Sequence, residues 1–196
     1  APLVTQSLCE GMMVATGVSP VQVDGHSPLP ITLDVDEPLT VGADRIVNTL
    51  AAARLFERDT IVVDFGTATT FDCITADGRF IGGVIMPGVR TAADELVRRT
   101  AKLPATELTA PDHVIGRRTE DCIRAGVLWG AADAVDGLIR RIRDEWPTRS
   151  QDRPLVVATG GLASLVAPLT REIESVQPDL TLLGLRLAAE ALGLGW

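Results

Sequence analysis

The run Ile61-Val62-Val63-Asp64-Phe65-Gly66 constrains this chain more than any other stretch. Consecutive apolar and β-branched residues suit a strand buried on both faces, and the glycine closes it. Phe71-Asp72-Cys73-Ile74-Thr75 and Arg79-Phe80-Ile81-Gly82-Gly83-Val84-Ile85 follow as further strand candidates. Asp77-Gly78 between them is a hairpin turn signal. The spacing predicts a meander: strand, Gly/Thr turn, strand, tight turn, strand.

Around this meander the pattern is helical. From Asp44, a start signal, Ile46, Val47, Leu50, Ala51 and Leu55 fall on one apolar side at helical spacing. Before it, an apolar segment around Leu8–Val18 leads into Pro20, Gly25, Pro28, Pro30 and Pro38, which predicts extended segments and turns, with Ile31-Thr32-Leu33 as a short strand. Pro87-Gly88 ends the meander, and Thr91-Ala92-Ala93-Asp94 opens a helix with a cap-like pattern. A longer helix is expected from Thr119 to near Pro147, with Ile123, Val127, Ala131, Val135, Leu138 and Ile142 as its buried stripe. Leu155–Ala158 reads as a buried strand running into Thr159-Gly160-Gly161 and another helix, and Leu180–Leu194 is helical in composition. The order β-β-β-α-α-β-α is that of an RNase H-like unit, so the expected class is α/β, a mixed sheet with flanking helices.

Composition excludes several functions. A net charge of −8 without a run of Lys or Arg argues against nucleic-acid binding, which needs a basic face to release counterions. Cys9, Cys73 and Cys122 are far apart, and the only histidines are His26 and His113, so neither a zinc site nor a disulfide framework is expected. The start Ala1-Pro2-Leu3-Val4 has no basic leader before a long apolar stretch, and no run reaches the roughly 18 apolar residues of a membrane span. The expectation is a soluble, cytoplasmic protein with reduced thiols and no membrane partner. There is no P-loop, no glycine-rich dinucleotide fingerprint and no Ser-His-Asp set.

Four segments can carry chemistry, and each also has a plain structural reading. In Asp64-Phe65-Gly66-Thr67-Ala68-Thr69-Thr70, the carboxylate can hold a cation beside a nucleotide. Gly66 lets the backbone approach closely, and Thr hydroxyls and turn amides can bind phosphate oxygens. The same residues also make a polar hairpin that satisfies its own turn. In Gly42-Ala43-Asp44-Arg45, Asp44 can accept a hydroxyl proton and Arg45 can hold a carboxylate, or the pair can be an N-cap and a solvated side chain. Thr159-Gly160-Gly161 can lay a nucleotide against backbone near a helix N-terminus, or simply turn from strand to helix. Thr119, after Gly116-Arg117-Arg118, reads by default as a helix cap.

Together these segments are more specific than any one alone. VGADRIVNTLAAARLF, IVVDFGTATTFDCITADGRFIGGVIMPGV, AKLPATEL, VIGRRTEDCIRAG, VVATGGLASLVAP and PDLTLLGLRL occur in this order from about Pro38 onward. The succession closely resembles type III pantothenate kinase, an actin-like ATP-dependent kinase of the 4′-hydroxyl of pantothenate and the first enzyme of coenzyme A synthesis. The resemblance implies a pantothenate-binding stretch at Gly42, Ala43, Asp44 and Arg45, with Asp44 as general base and Thr119 as a further substrate contact. It implies Asp64 as ligand of a monovalent cation, K⁺ or NH₄⁺, with Gly66 and Thr67 on the ATP phosphates. Thr159, Gly160 and Gly161 would lie on the adenosine side, with Mg²⁺ as cofactor and a homodimer as the assembly.

Departures from the family pattern temper these expectations. The family's opening D-x-G-N-T phosphate loop has no counterpart here, since the only D-x-G-T is at Asp64. Residues 1–37 are therefore expected to be a remnant of a first RNase H-like half with its crossover, and 38–196 the second domain. Val35 stands where the family often has a substrate-pocket Tyr, and Arg118 where an Asn commonly precedes the threonine. Two other functions compete: a non-catalytic regulatory relative, and an actin-like kinase for another hydroxy acid.

Overall fold

The strand that begins the meander became the centre of the sheet. In the computed structural model, which describes residues 2–147 and 153–194, β2 (Thr60–Phe65) is buried at every position except Asp64, which is half-buried. It pairs antiparallel with β3 (Ala68–Ile74), and β3 pairs antiparallel with β4 (Arg79–Pro87). The β3–β4 turn is centred on Asp77-Gly78, and the Gly78 amide donates to Thr75 O at 2.9 Å. Parallel pairing adds β5 (Leu155–Thr159) beside β2, β6 (Ser175–Val176) beside β5, and β1 (Thr32–Leu33) beside β4. The six-stranded order is β1-β4-β3-β2-β5-β6. This mixed sheet, with its second meander strand reversed and helices on its faces, is the RNase H-like arrangement expected from the element order.

Alternation along the strands sorts side chains to two faces. Ile61, Val63, Phe65, Phe71, Val156 and Ala158 form one core with α3 (Val89–Arg99) and α4 (Thr119–Asp144). On the other face, Val62 and Ile74 pack with Ala51 and Ala52 of α2 (Ala43–Phe56) and Leu180 of α6 (Leu180–Ala191). Asp64 and Asp72 share that second face, because Asp64 lies opposite Thr70 and Asp72 opposite Val62.

Several local expectations shift. The apolar segment near the start is not extended: α1 spans Pro2–Thr16, since the breakers begin only after it, and Leu8, Met12, Met13 and Val14 are exposed on it. Leu55 is 48% exposed rather than buried, while its neighbour Phe56 is the residue of the last turn that packs against the Val62–Ile74 cluster. α3 starts two residues early behind Gly88, so Thr91 is no cap; its hydroxyl donates to Thr67 O at 2.7 Å. On α4 the deepest residues are Leu128, Ala132, Val135 and Ile139, whereas Ala131, Leu138 and Ile142 of the expected stripe sit at the margin. The helix after Gly160-Gly161 is only α5 (Ala163–Val166). Among the described residues no helix is long and apolar enough to cross a membrane, and Cys9, Cys73 and Cys122 are free of disulfides.

Candidate functional site

The site lies where the start of α2 meets the end of β2. Gly42 is the residue before the helix, in extended conformation, and Ala43 and Asp44 open its first turn at the surface. The Asp44 carboxylate turns back: its Oδ1 accepts the Arg45 amide at 2.9 Å. A Cβ on Gly42 would stand 2.5 Å from that oxygen, so a larger residue there would displace the Asp44 carboxylate from this position.

Arg45, one residue on, points inward. Its Nε donates to Asp72 Oδ1 at 2.5 Å, and Nη2 donates to Phe71 O at 3.3 Å. Only Nη1 is left outside these bonds, so the guanidinium expected to clamp a substrate is largely committed to β3. One turn further along α2, the buried Asn48 donates from Nδ2 to Asp64 Oδ2 at 3.3 Å, and its amide oxygen accepts the Thr181 hydroxyl of α6 at 2.8 Å. Two tethers thus fasten the first turns of α2 to the β2–β3 hairpin.

The same packing shapes the titration of the two strand carboxylates. Burial pushes Asp64 above the ordinary carboxylate range; the Asn48 hydrogen bond pulls it back, and the negative charge of Asp44 adds to the rise. Burial also lifts Asp72 to about 6, against the pull of Arg45, with Asp44 and Asp64 both raising it further. The Oδ2 of Asp72 and the Oγ1 of Thr159 are buried and have no hydrogen-bond partner among the described residues.

The glycine loop after β5 closes over Asp64. Gly160 has φ +91°, and a Cβ there would lie 2.3 Å from Asp64 Oδ1 and 2.7 Å from Phe65 N. Gly161 is exposed, with open space where its Cβ would be. Gly66 and Thr67 form the exposed β2–β3 turn, held by Gly66 N donating to Ala68 O at 3.0 Å and by Gly88 N donating to Thr67 O at 3.1 Å. Asp44, Arg45, Asp64 and Gly160 are therefore brought together, with Gly66 and Thr67 on the adjoining turn.

Thr119 is placed differently. Arg118 occupies the cap position of α4 without a side-chain cap bond, which leaves Thr119 exposed in the first turn rather than capping it. It rims an apolar groove of about 580 Å³ between α3 and α4, whose lining includes Leu96, Ile123, Gly126 and Gly130 but none of the carboxylates. Reading from sequence missed Asn48, Asp72 and Thr181. The available signal was the polar set Asp44, Arg45, Asn48 and Thr49 in the first half of a helix whose next four residues are apolar, facing a strand with Thr70 and Asp72 in alternation. Among the described residues, no three His, Cys, Asp or Glu side chains are grouped to hold a metal ion.

Comparison with known proteins adds a lineage. A family model described as type III pantothenate kinase matches residues 1–141. A type III pantothenate kinase of Rhodococcus jostii is 47% identical over 160 residues, covering 82% of this chain and 59% of the relative. One from Thermomicrobium roseum is 47% identical over 175 residues, covering 89% of this chain and 66% of the relative. The chain thus spans less than two thirds of the length of these relatives. Among solved structures, a protein of Campylobacter jejuni described as a conserved Baf family transcriptional activator is similar in fold, with TM-score 0.58 and 20% identity over 85% of this chain and 71% of that one.

Proposed function

The chain belongs to the type III pantothenate kinase family, and on that premise we propose that its site serves the ATP-dependent phosphorylation of pantothenate to 4′-phosphopantothenate, opening coenzyme A biosynthesis. The observation that carries the reading is the pair of tethers that seats the start of α2 on the β2–β3 hairpin: Arg45, whose amide donates to Asp44, is bonded to Asp72, and Asn48 one turn on donates to Asp64 at the strand end. Residues 38–196 then form most of the RNase H-like domain that contributes this half of the cleft, with β1 (Thr32–Leu33) of the preceding 1–37 segment adding its edge strand beside β4.

Phosphoryl transfer needs positioning and charge neutralisation more than covalent help from the protein. In the proposed reaction the 4′-hydroxyl oxygen bonds to the γ-phosphorus, the bond from that phosphorus to the β–γ bridging oxygen breaks, and ADP leaves. Asp44, exposed at the mouth, takes the hydroxyl proton. Gly42, Ala43 and the backbone of Arg45 shape the wall for pantothenate, and Thr119 would contribute only from the rim of the separate α3–α4 groove. Gly66 and Thr67 offer turn groups to the phosphates, while Thr159, Gly160 and Gly161 leave room on the adenosine side.

The residues fit a monovalent cation at Asp64. A half-buried carboxylate with a raised pKa and an unpartnered Thr159 hydroxyl are oxygen donors suited to a hard cation. K⁺ or NH₄⁺ there would offset charge on the transferred group. Mg²⁺ binds mainly through nucleotide phosphates and one or two carboxylates, which suits a site without a side-chain cage.

A homodimer in the cytoplasm completes the proposal. The apolar groove beside α4, with Gly126 and Gly130 in its lining, supports close approach of a second copy. The test of function is turnover by the natural protein expressed from its own gene. ADP release dependent on both pantothenate and K⁺ is expected, and Asp44→Asn is expected to lower kcat by about 10²–10⁴-fold. Undiminished turnover in that variant removes Asp44 as the base, and consumption of a different hydroxy acid in place of pantothenate overturns the substrate.

A further inference from the structure

A carboxylate in mid-strand under a helix needs a reason. Asp72 is fully buried in β3, on the sheet face covered by α2. Its Oδ1 meets Arg45, while its Oδ2 is buried without a partner. For stability alone an apolar pair of similar volume would serve as well or better, because desolvating two charges costs at least much of what their attraction returns.

The surroundings of Arg45 form a slot shaped to one side chain. The guanidinium lies 4.9 Å from the centre of the Phe80 ring and donates to Phe71 O. On the remaining side is Gly83, where a Cβ would come within 2.7 Å of Arg45 Nη2 and 1.7 Å of Phe71 O. The backbone of the same arginine is fixed as well. Its carbonyl accepts the buried Thr49 hydroxyl at 2.8 Å, and its amide holds the carboxylate of Asp44. Constraint therefore runs from Asp72 to the Arg45 side chain, through the Arg45 backbone, to Asp44.

We propose that Asp72, acting through Arg45, is a positioning residue that fixes the first turn of α2 and so sets where the Asp44 carboxylate stands relative to Asp64. The assignment of Asp44 as base rests on the kinase reading above; the mechanical claim does not. Arg45 then serves chiefly as the strut between strand and helix, and substrate recognition falls to the backbone of its segment.

Two measurements on the natural protein decide it. In steady-state kinetics, Asp72→Asn is expected to lower kcat roughly 10–100-fold, the scale of a base misplaced by about an ångström. The KM for pantothenate should stay within about twofold, because no substrate contact has been removed. A purely structural role would lower Tm while leaving kcat of the folded protein intact, and that result overturns the proposal. If Asp72→Asn does not fold, the neutral pair D72N/R45Q takes its place with the same criterion.

Separately, NMR of the Arg45 Nε–H in wild type is expected to give a hydrogen-bonded signal protected from exchange. In the variant, where a neutral amide oxygen replaces the carboxylate as acceptor, this signal should shift and exchange faster, with accompanying shifts at the Asp44 and Asn48 amides. If those amides stay in place, the proposal fails whatever the activity. If wild type shows no pantothenate-dependent turnover, the kinase reading fails, and the NMR result alone decides the positioning claim.

Discussion

Asp72 gives the residue scale its clearest pH signature. Its folded pKa, about 6, lies above the ordinary carboxylate value near 3.9. The folded state therefore holds this proton more tightly than the unfolded chain does. The contribution to stability is fully present below the unfolded pKa and is lost as pH rises through about 6. Arg45 opposes the rise, while Asp44 and Asp64 reinforce it, so the direction reflects burial first. The Tm difference between Asp72→Asn and wild type should shift in favour of the variant from pH 4 to 6 and then level off. Thermal melts at three pH values in that window would measure it, and a constant difference would contradict the shift.

Gly160 makes a second residue-scale case. Alanine there would have to hold φ +91° and place a methyl carbon 2.3 Å from Asp64 Oδ1. Gly160→Ala is expected to cost about 1–3 kcal/mol of stability. It should also raise the KM for ATP, because the loop must lift away from Asp64. Chemical denaturation and nucleotide titration together separate the two effects.

Elements were legible from sequence to different depths, for physical reasons. The β2–β3–β4 meander was readable because buried β-branched runs and an Asp-Gly turn leave few alternatives for the backbone. α1 was not, since proline density downstream obscured an uninterrupted helical segment upstream. Which way Arg45 turns was also hidden: its partner is 27 positions away on another strand, and no local pattern encodes that. The motifs containing Asp44 and Asp64 could be found, but the tethers that bring them together could not.

Asn48 is where element packing meets chemistry, because it joins α2 to β2 and to α6 through one amide. Asn48→Ala would leave Asp64 without its donor and the Thr181 hydroxyl without its acceptor. A loss of about 1–3 kcal/mol is expected, measurable by urea denaturation. The Asp64 pKa should rise further, since the lost hydrogen bond is the contact that lowers it. An Asp64 titration unchanged by the mutation, followed by carboxylate NMR, would refute the tether.

At the scale of the whole molecule, the groove between α3 and α4 is the apolar surface a second copy would cover. If a second copy docks there, Gly126→Leu should fill it from within and convert the dimer to monomer, as light scattering coupled to gel filtration would report. Gly126 has nothing within 4 Å of its absent Cβ, so the larger side chain need not disturb the fold of one chain. A dimer that survives this change would place the interface elsewhere.

Strand parity gives the Arg45–Asp72 pair a further consequence. Asp64 and Asp72 reach the same helix only because both occupy positions of matching parity across the hairpin. A slip of β3 by one residue would invert every side chain along it, sending Asp72 into the apolar layer beneath α4 and leaving the guanidinium of Arg45 facing Phe71 or Cys73. Such a misaligned hairpin could rebuild its backbone ladder but not this ionic contact, so the ion pair belongs to the native register alone.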